Sequence, residues 1–146
     1  MNRVKIEMPE GFSFSTTIPV RITDVNYGGH VGNDAILSII HEARAQFFIH
    51  LGYTELNLAG AGLIMSDVIV EFKNELFYGE MIKASVIAGN ISKISFDLFY
   101  KLEKETNKGI LIPVVFAKTG MVCYDYANKK IILIPEEIRS KLINQQ

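Results

Sequence analysis

Arg21, Asp24, Asn26, His30 and Asn33 fall within thirteen residues and are interleaved with Gly28, Gly29 and Gly32. The mixture puts acid–base and hydrogen-bonding groups on backbone that can turn sharply and approach a ligand with no Cβ in the way. Asn33 and Asp34 open a helix, so N–H groups without intrahelical partners and the positive end of the helix dipole face this hinge. Such donors suit a developing oxyanion. An imidazole exchanges protons near neutral pH, so His30 can orient or deprotonate water, or donate to a carbonyl. The competing reading is that His30 only ties the hinge together by bonding backbone carbonyls.

The elements that must position these groups are legible in the periodicity. Phe12, Phe14, Thr16, Ile18 and Val20 alternate with Ser13, Ser15 and Thr17, which predicts a half-buried strand over 12–22, with Pro19 at an edge or bulge. From Asn33 to Gly52, Ile36, Ile39, Ile40, Ala43, Phe47 and Leu51 recur three or four apart. That spacing predicts one amphipathic helix of about five turns, roughly 30 Å long, with Asn33 or Asp34 as N-cap and Gly52 as the stop. A loop over 53–62 is followed by β-rich runs at 63–77, 80–89, 92–103 and 110–126. They are separated by the turn formers Tyr78-Gly79, Gly89-Asn90-Ile91 and Thr106-Asn107-Lys108-Gly109. A short strand at 131–134 and a short helix with Pro135 at its first position, followed by Glu136 and Glu137, complete the chain. Strands joined by short turns predict an antiparallel meander, with the long helix burying its apolar stripe against one face.

Composition bounds the rest. The 146 residues suit a single domain over 1–146 that needs neither disulfide nor metal to bury a core. With 15 Lys and Arg against 16 Asp and Glu, evenly spread, neither nucleic acid nor a membrane surface is an expected partner. Cys123, the single cysteine, reads as a small buried hydrophobe, and a reducing cytoplasm is the expected location. The first residues lack the apolar core of a signal peptide, and no stretch approaches the roughly 18 apolar residues of a membrane span. Hydrophobic residues make up 49% of the chain, which points to apolar surface covered on assembly and so to a homo-oligomer. His41-Glu42 begins like a zinc helix, but position 45 is alanine, and His50 falls nine residues after His41, off its face. Gly60-Ala61-Gly62 precedes a strand rather than a phosphate-binding helix, so no nucleotide is expected there. No metal or redox cofactor is implied.

In order along the chain, Arg21-Ile22-Thr23-Asp24, Gly29-His30-Val31-x-Asn33 and His41-Glu42-Ala43-Arg44 are followed by Phe47 through Gly52 and by Val70 through the Gly79-Glu80 turn. Val122-Cys123-Tyr124-Asp125 and Ile134 through Arg139 close the series. This succession resembles the hotdog-fold acyl-CoA thioesterases of the 4-hydroxybenzoyl-CoA thioesterase type over nearly the whole chain. The resemblance implies an α+β hotdog fold, an antiparallel sheet wrapped around one long central helix with a short C-terminal helix. It also implies a homodimer or homotetramer with sites between subunits, hydrolysing an acyl thioester of coenzyme A or acyl carrier protein to free acid and thiol. A non-catalytic acyl-thioester binder on the same fold is the alternative. A hydratase is disfavoured, because it needs an Asp/His pair to add water and only His30 is at hand.

Thioester hydrolysis needs a positioned water or carboxylate and donors for the carbonyl oxygen, whereas the thiol leaves with little help. Asn26, His30 and Glu42 are the candidate catalytic residues. The resemblance aligns Asn26 with an acidic residue that acts as nucleophile or base in many members. An amide can do neither, but it can hold a water or bind the carbonyl; its competing role is an Asx turn. Thioesterases of enediyne polyketide pathways resemble this chain in having asparagine there, with a helix arginine that Arg44 matches; Ile36 stands where many members carry tyrosine. Glu42 lies about ten residues into the helix, roughly 15 Å from its start. It suits a site completed by a second subunit, or else a partly buried carboxylate paired with a base. Arg44 suits a salt bridge or a contact to the carrier. Asp24, Gly28, Gly29, Val31, Gly32 and Asn33 complete the expected substrate-binding hinge, with Gly32 and Asn33 N–H as oxyanion donors and Asp24 accepting backbone N–H bonds. Ile36, Ile40, Met65 and Phe72 are expected to line an apolar acyl tunnel between helix and sheet.

Overall fold

The alternating N-terminal run forms β1 (Phe14–Pro19) in a computed structural model that describes residues 2–145. The strand is shorter than its pattern predicts, because Ile22–Asp24 coil into a 3-10 turn. Helix α1 spans Asn33–Leu51, and Gly52, at φ 95°, closes it by donating its N–H to the Ile49 and Phe48 carbonyls. The N-cap expectation is corrected: Gly32, extended at φ −74° and ψ 156°, holds that position, and no side chain caps the helix. The cause is local. The Gly32 N–H is taken by the Asp24 carbonyl at 3.1 Å, and Asp34 Oδ1 lies 2.6 Å from where a side chain on residue 32 would begin.

The remaining strands are β2 (Gly62–Phe72), β3 (Met81–Gly89), β4 (Ser95–Glu105), β5 (Leu111–Asp125) and the two-residue β6 (Lys130–Ile131). Helix α2 (Glu136–Ile143) follows, with Pro135 as its N-cap rather than its first helical residue. All pairings are antiparallel, in the order β1-β3-β4-β5-β2, with β6 against β5. Only β3, β4 and β5 therefore form the expected meander. β2 stops at Phe72 because the N–H groups of Lys73 and Asn74 both turn to the Val114 carbonyl, at 2.8 and 3.2 Å. The chain then crosses to the far side of the sheet, where Gly79 N–H and Glu80 carbonyl bond Val20 at the end of β1. Three strand spacings, about 14 Å, are within reach of such a segment. The Tyr78-Gly79 turn thus feeds β3 from across the sheet and is not a β2–β3 hairpin.

Helix α1 covers one face of this sheet. Ile36, Ile39, Ile40, Ala43, Phe47 and Phe48 are buried in one cluster with Ile82, Leu98, Leu102 and Ala117 of the strands. Full burial of a side chain such as Phe47 or Phe48 contributes about 1.5–3 kcal/mol. The result is the hotdog arrangement, an antiparallel sheet around one long helix. β1 and β2 are its edges, which accommodates Pro19 without loss of a ladder bond in the sheet interior. Among the described residues, no helix is long and apolar enough to cross a membrane.

Candidate active site

Between β1 and α1 the hinge is built almost wholly from backbone bonds. Asp24 is buried, and its carboxylate accepts the Arg21 N–H at 2.8 Å while its carbonyl accepts the Gly32 N–H. Asn26 N–H donates to the His30 carbonyl (2.9 Å), and Gly29 N–H donates to the Asn26 carbonyl (3.1 Å). Gly29, at φ 87°, takes the left-handed conformation this turn needs. Asn26 Oδ1 accepts the Gly28 N–H at 2.9 Å, an Asx turn, which leaves the Nδ2 amide hydrogens facing outward on an exposed residue. Val31 is buried and donates its N–H to the Leu76 carbonyl (2.9 Å), so the segment after β2 clamps the hinge from below.

His30 is half-buried. Its Nδ1 pairs with the Val31 carbonyl at 3.2 Å, which makes Nδ1 the protonated nitrogen and leaves the Nε2 lone pair free. Nε2 lies 4.0 Å from Glu75 Oε1. Asn26 Oδ1 and His30 Nε2 sit 3.2 and 3.5 Å from the point where a Gly28 side chain would start, so this glycine keeps the space between amide and imidazole open. The first α1 bond runs from Ile36 N–H to the Gly32 carbonyl (3.2 Å). The N–H groups of Asn33, Asp34 and Ala35 precede it and have no side-chain cap. Gly32, by contrast, has its N–H committed to Asp24 and has none to offer an oxyanion. His30, Asn33, Ile36, Phe72, Lys73 and Glu75 line a cleft of about 280 Å³.

Other residues singled out in the sequence lie elsewhere. Glu42 is exposed, accepts a hydrogen bond from Gln46 Nε2 (2.8 Å), and faces a second cleft of about 260 Å³ with Arg21 and Asp24. No basic side chain pairs with it among the described residues, so its partner is an amide and not the base that the sequence suggests. Ile40, Met65 and Arg44 line a third cleft, of about 240 Å³. Ile36 and Phe72 thus share one cleft of this chain, and Ile40 and Met65 another; Met65 and Phe72 are exposed on the β2 edge.

Arg44 is buried at 7% exposure. Its Nε donates to Glu55 Oε1 (3.1 Å) and its Nη1 to the Tyr100 hydroxyl (3.3 Å), which in turn bonds Thr119 Oγ1 at 2.7 Å. His41 Nε2 shares the same Glu55 oxygen at 3.3 Å. Burial pulls the Arg44 pKa down, but Tyr100 and Glu55 outweigh it and hold the guanidinium above its ordinary value. Burial pushes the Tyr100 phenol up, so it stays a neutral hydroxyl. Sequence reading missed Glu55, Glu75 and Tyr100. Glu55 sits in an irregular loop, Glu75 in what reads as strand, and Tyr100 in a strand where an aromatic residue passes as core.

Cys123 in β5 is fully buried, and burial pushes its thiol up to about 11. It is a packing residue without thiolate character at neutral pH. Native protein at pH 8 is expected to resist alkylation by iodoacetamide, labelling only as fast as it unfolds; rapid labelling of folded protein would contradict the burial.

A family model described as the thioesterase-like superfamily matches residues 20–142. No curated protein matches the sequence. Among solved structures, a thioesterase-superfamily protein from Jannaschia sp. CCS1 is similar at TM-score 0.82 and 18% identity, over 94% of this chain and 85% of its own. The 1,4-dihydroxy-2-naphthoyl-CoA thioesterase from Synechocystis gives TM-score 0.78 and 17% identity, over 90% of this chain and 96% of its own. The 4-hydroxybenzoyl-CoA thioesterase from Pseudomonas sp. strain CBS-3 gives 0.75 and 16%, over 86% and 96%. At such identities the likeness is one of fold.

Proposed function

The chain belongs to the thioesterase-like superfamily, and on that premise we propose that it hydrolyses an acyl thioester of coenzyme A or acyl carrier protein. The observation that carries this reading is the uncapped start of α1 beside an imidazole whose Nε2 is free, with Asn33 and His30 lining one cleft. The coenzyme A thioesters in the names of two structural neighbours support the substrate class. A thioester carbonyl laid against Asn33, Asp34 and Ala35 N–H, with Asn26 Nδ2 as a further donor, has its developing negative charge met by fixed dipoles. His30 Nε2 takes a proton from water, and the water oxygen attacks the carbonyl carbon. The tetrahedral oxyanion collapses, the C–S bond breaks, and the departing thiolate takes the proton from the imidazolium that Glu75 steadies.

A second copy of the chain belongs to this proposal. β2 is an eleven-residue edge strand that exposes Met65, Val68, Ile69 and Phe72, an unpaired and apolar edge of the kind that seeks another strand. Pairing two copies there brings one copy's β2 beside the other's cleft, while Glu42 stays on the β1 side of α1, with Arg21 and Asp24. Release of thiol from a panel of short, long and aromatic acyl-CoAs tests the activity. Turnover well above buffer is expected, whereas tight binding without turnover would favour the non-catalytic binder, a reading that Asn26 in place of an acid keeps open.

Asn26→Asp is a clean probe of the amide. The carboxylate keeps an oxygen for the Gly28 N–H but replaces the Nδ2 donor with negative charge facing the oxyanion. A fall in kcat of about a hundredfold is expected, the lower end of the scale for losing one such donor; a rise would show that the amide is a weakened form of the family's acid.

A further inference from the structure

The third cleft holds a charged group that the hydrolytic machinery does not use. Arg44 is only 7% exposed, and a buried guanidinium is costly unless its donors are matched. It has five N–H donors. Nε is spent on Glu55 and one Nη1 hydrogen on Tyr100, while Nη2 has no acceptor among the described residues. Yet among the described residues no fully buried side-chain nitrogen or oxygen lacks a partner, so Nη2 must open to free space. The space it borders is the cleft walled by the apolar Leu37, Ile40, Met65 and Val68 together with the polar Ser38, His41 and Thr119, with Arg44 in its lining.

Leu37, Ile40, His41 and Arg44 follow one another at helical spacing, a single stripe along α1. That stripe starts one turn from the oxyanion donors. Arg44 is eleven residues past Asn33, and its side chain leans back toward the helix start, so the guanidinium sits on the order of 10 Å from the proposed thioester. A cleft of about 240 Å³ is too small for the coenzyme and suits the end of an acyl group.

Given a thioester hydrolase at this site, we infer that Arg44 selects acyl groups bearing a hydrogen-bond-accepting oxygen at their far end. Glu55 and Tyr100 are its positioning residues. They fix two sides of the guanidinium plane and leave the third aimed into the cleft, and Thr119 holds Tyr100 in turn. A hydrocarbon tip in the same place leaves Nη2 dehydrated and unpaired, which is the strongest form of discrimination a binding site has.

The test is a series of CoA thioesters matched in length at six, eight and ten carbons, ending in methyl, hydroxyl or carboxylate. At one length or more, kcat/KM for an oxygenated ester should exceed that of its methyl counterpart at least tenfold, mainly through KM. The hydroxyl and carboxylate arms decide whether the oxygen is neutral or charged; a preference for either supports the inference. In Arg44→Met the ratio should approach one, and in Tyr100→Phe it should fall several-fold. Should Arg44→Met fail to fold, the wild-type ratio and Tyr100→Phe decide. Equal kcat/KM at every length, with hydrolysis intact, overturns the selectivity and leaves the hydrolase reading standing. If no ester is hydrolysed, the hydrolase reading falls, and the calorimetric affinities of the same esters decide the oxygen preference alone.

Discussion

His30→Ala should slow thioester hydrolysis by about a hundred- to a thousandfold, the scale of losing a positioned acid–base group, with the unfolding midpoint almost unmoved. The two halves of that expectation have separate causes. Among the described residues the imidazole's one hydrogen bond is from Nδ1 to the Val31 carbonyl, and a half-exposed bond of that kind contributes about 1 kcal/mol or less. The turn is carried by the backbone: Asn26 N–H to His30 carbonyl, Gly29 N–H to Asn26 carbonyl, Gly32 N–H to Asp24 carbonyl, all of which survive the substitution. The rate, however, depends on Nε2, which has no structural employment. Gly28→Ala makes a companion test, because a methyl group there lands 3.2 Å from Asn26 Oδ1 and 3.5 Å from His30 Nε2, in the space a reacting group must use. It should lower kcat/KM about tenfold without removing any polar atom. A wild-type rate in His30→Ala would take the imidazole out of the chemistry and reduce it to a hinge tie.

How much of this was legible in the sequence varies with the range of the interaction involved. Helix α1 is a local pattern, and its stripe and its Gly52 stop follow from residue spacing alone. The hinge is local too: Gly28, Gly29 and Gly32 announce a turn, and Asn26 and His30 bracket it. The N-cap misled because Asn33 and Asp34 are both good caps by type, while the deciding contact, Asp24 carbonyl to Gly32 N–H, joins residues on opposite sides of the turn. The place of β2 could not be read at all. Its register against β5 pairs residues more than forty positions apart, and the pattern of 63–77 is that of a strand until Lys73 and Asn74 turn to Val114. The two carboxylates that frame the imidazole and the guanidinium, Glu75 and Glu55, were hidden for the same reason. Glu55 belongs to a loop whose sequence carries no period and Glu75 to a run that reads as strand but leaves the sheet, and each is brought into place by packing.

Arg44→Ala should cost about 3–5 kcal/mol of folding stability, the scale for breaking a buried ion pair by removing one partner. Deleting the guanidinium leaves Glu55, among the described residues, with the largely exposed His41 imidazole in place of a fixed positive charge, and strips the Tyr100 hydroxyl of one of its two partners in a fully buried place. The Glu55 side chain is 22% exposed, so water relieves part of the penalty and the lower end of that range is the better expectation. Glu55→Gln alone should also destabilise, since it leaves the guanidinium buried opposite a neutral amide. Replacing both at once, as in Arg44→Met with Glu55→Leu, should recover much of the loss, because the expense of a broken pair lies in the charge left behind and not in the pair itself. A double-mutant cycle read by urea unfolding therefore should show a coupling of more than about 1 kcal/mol between the two positions. A pair so placed returns little net stability against an apolar substitute, so a large coupling beside a stable double mutant would mean that the fold does not need the arginine for strength. It would mean that Glu55 and Tyr100 hold a guanidinium in the lining of the cleft at some cost to the fold, and a retained charge of that kind is best accounted for by what its free edge meets.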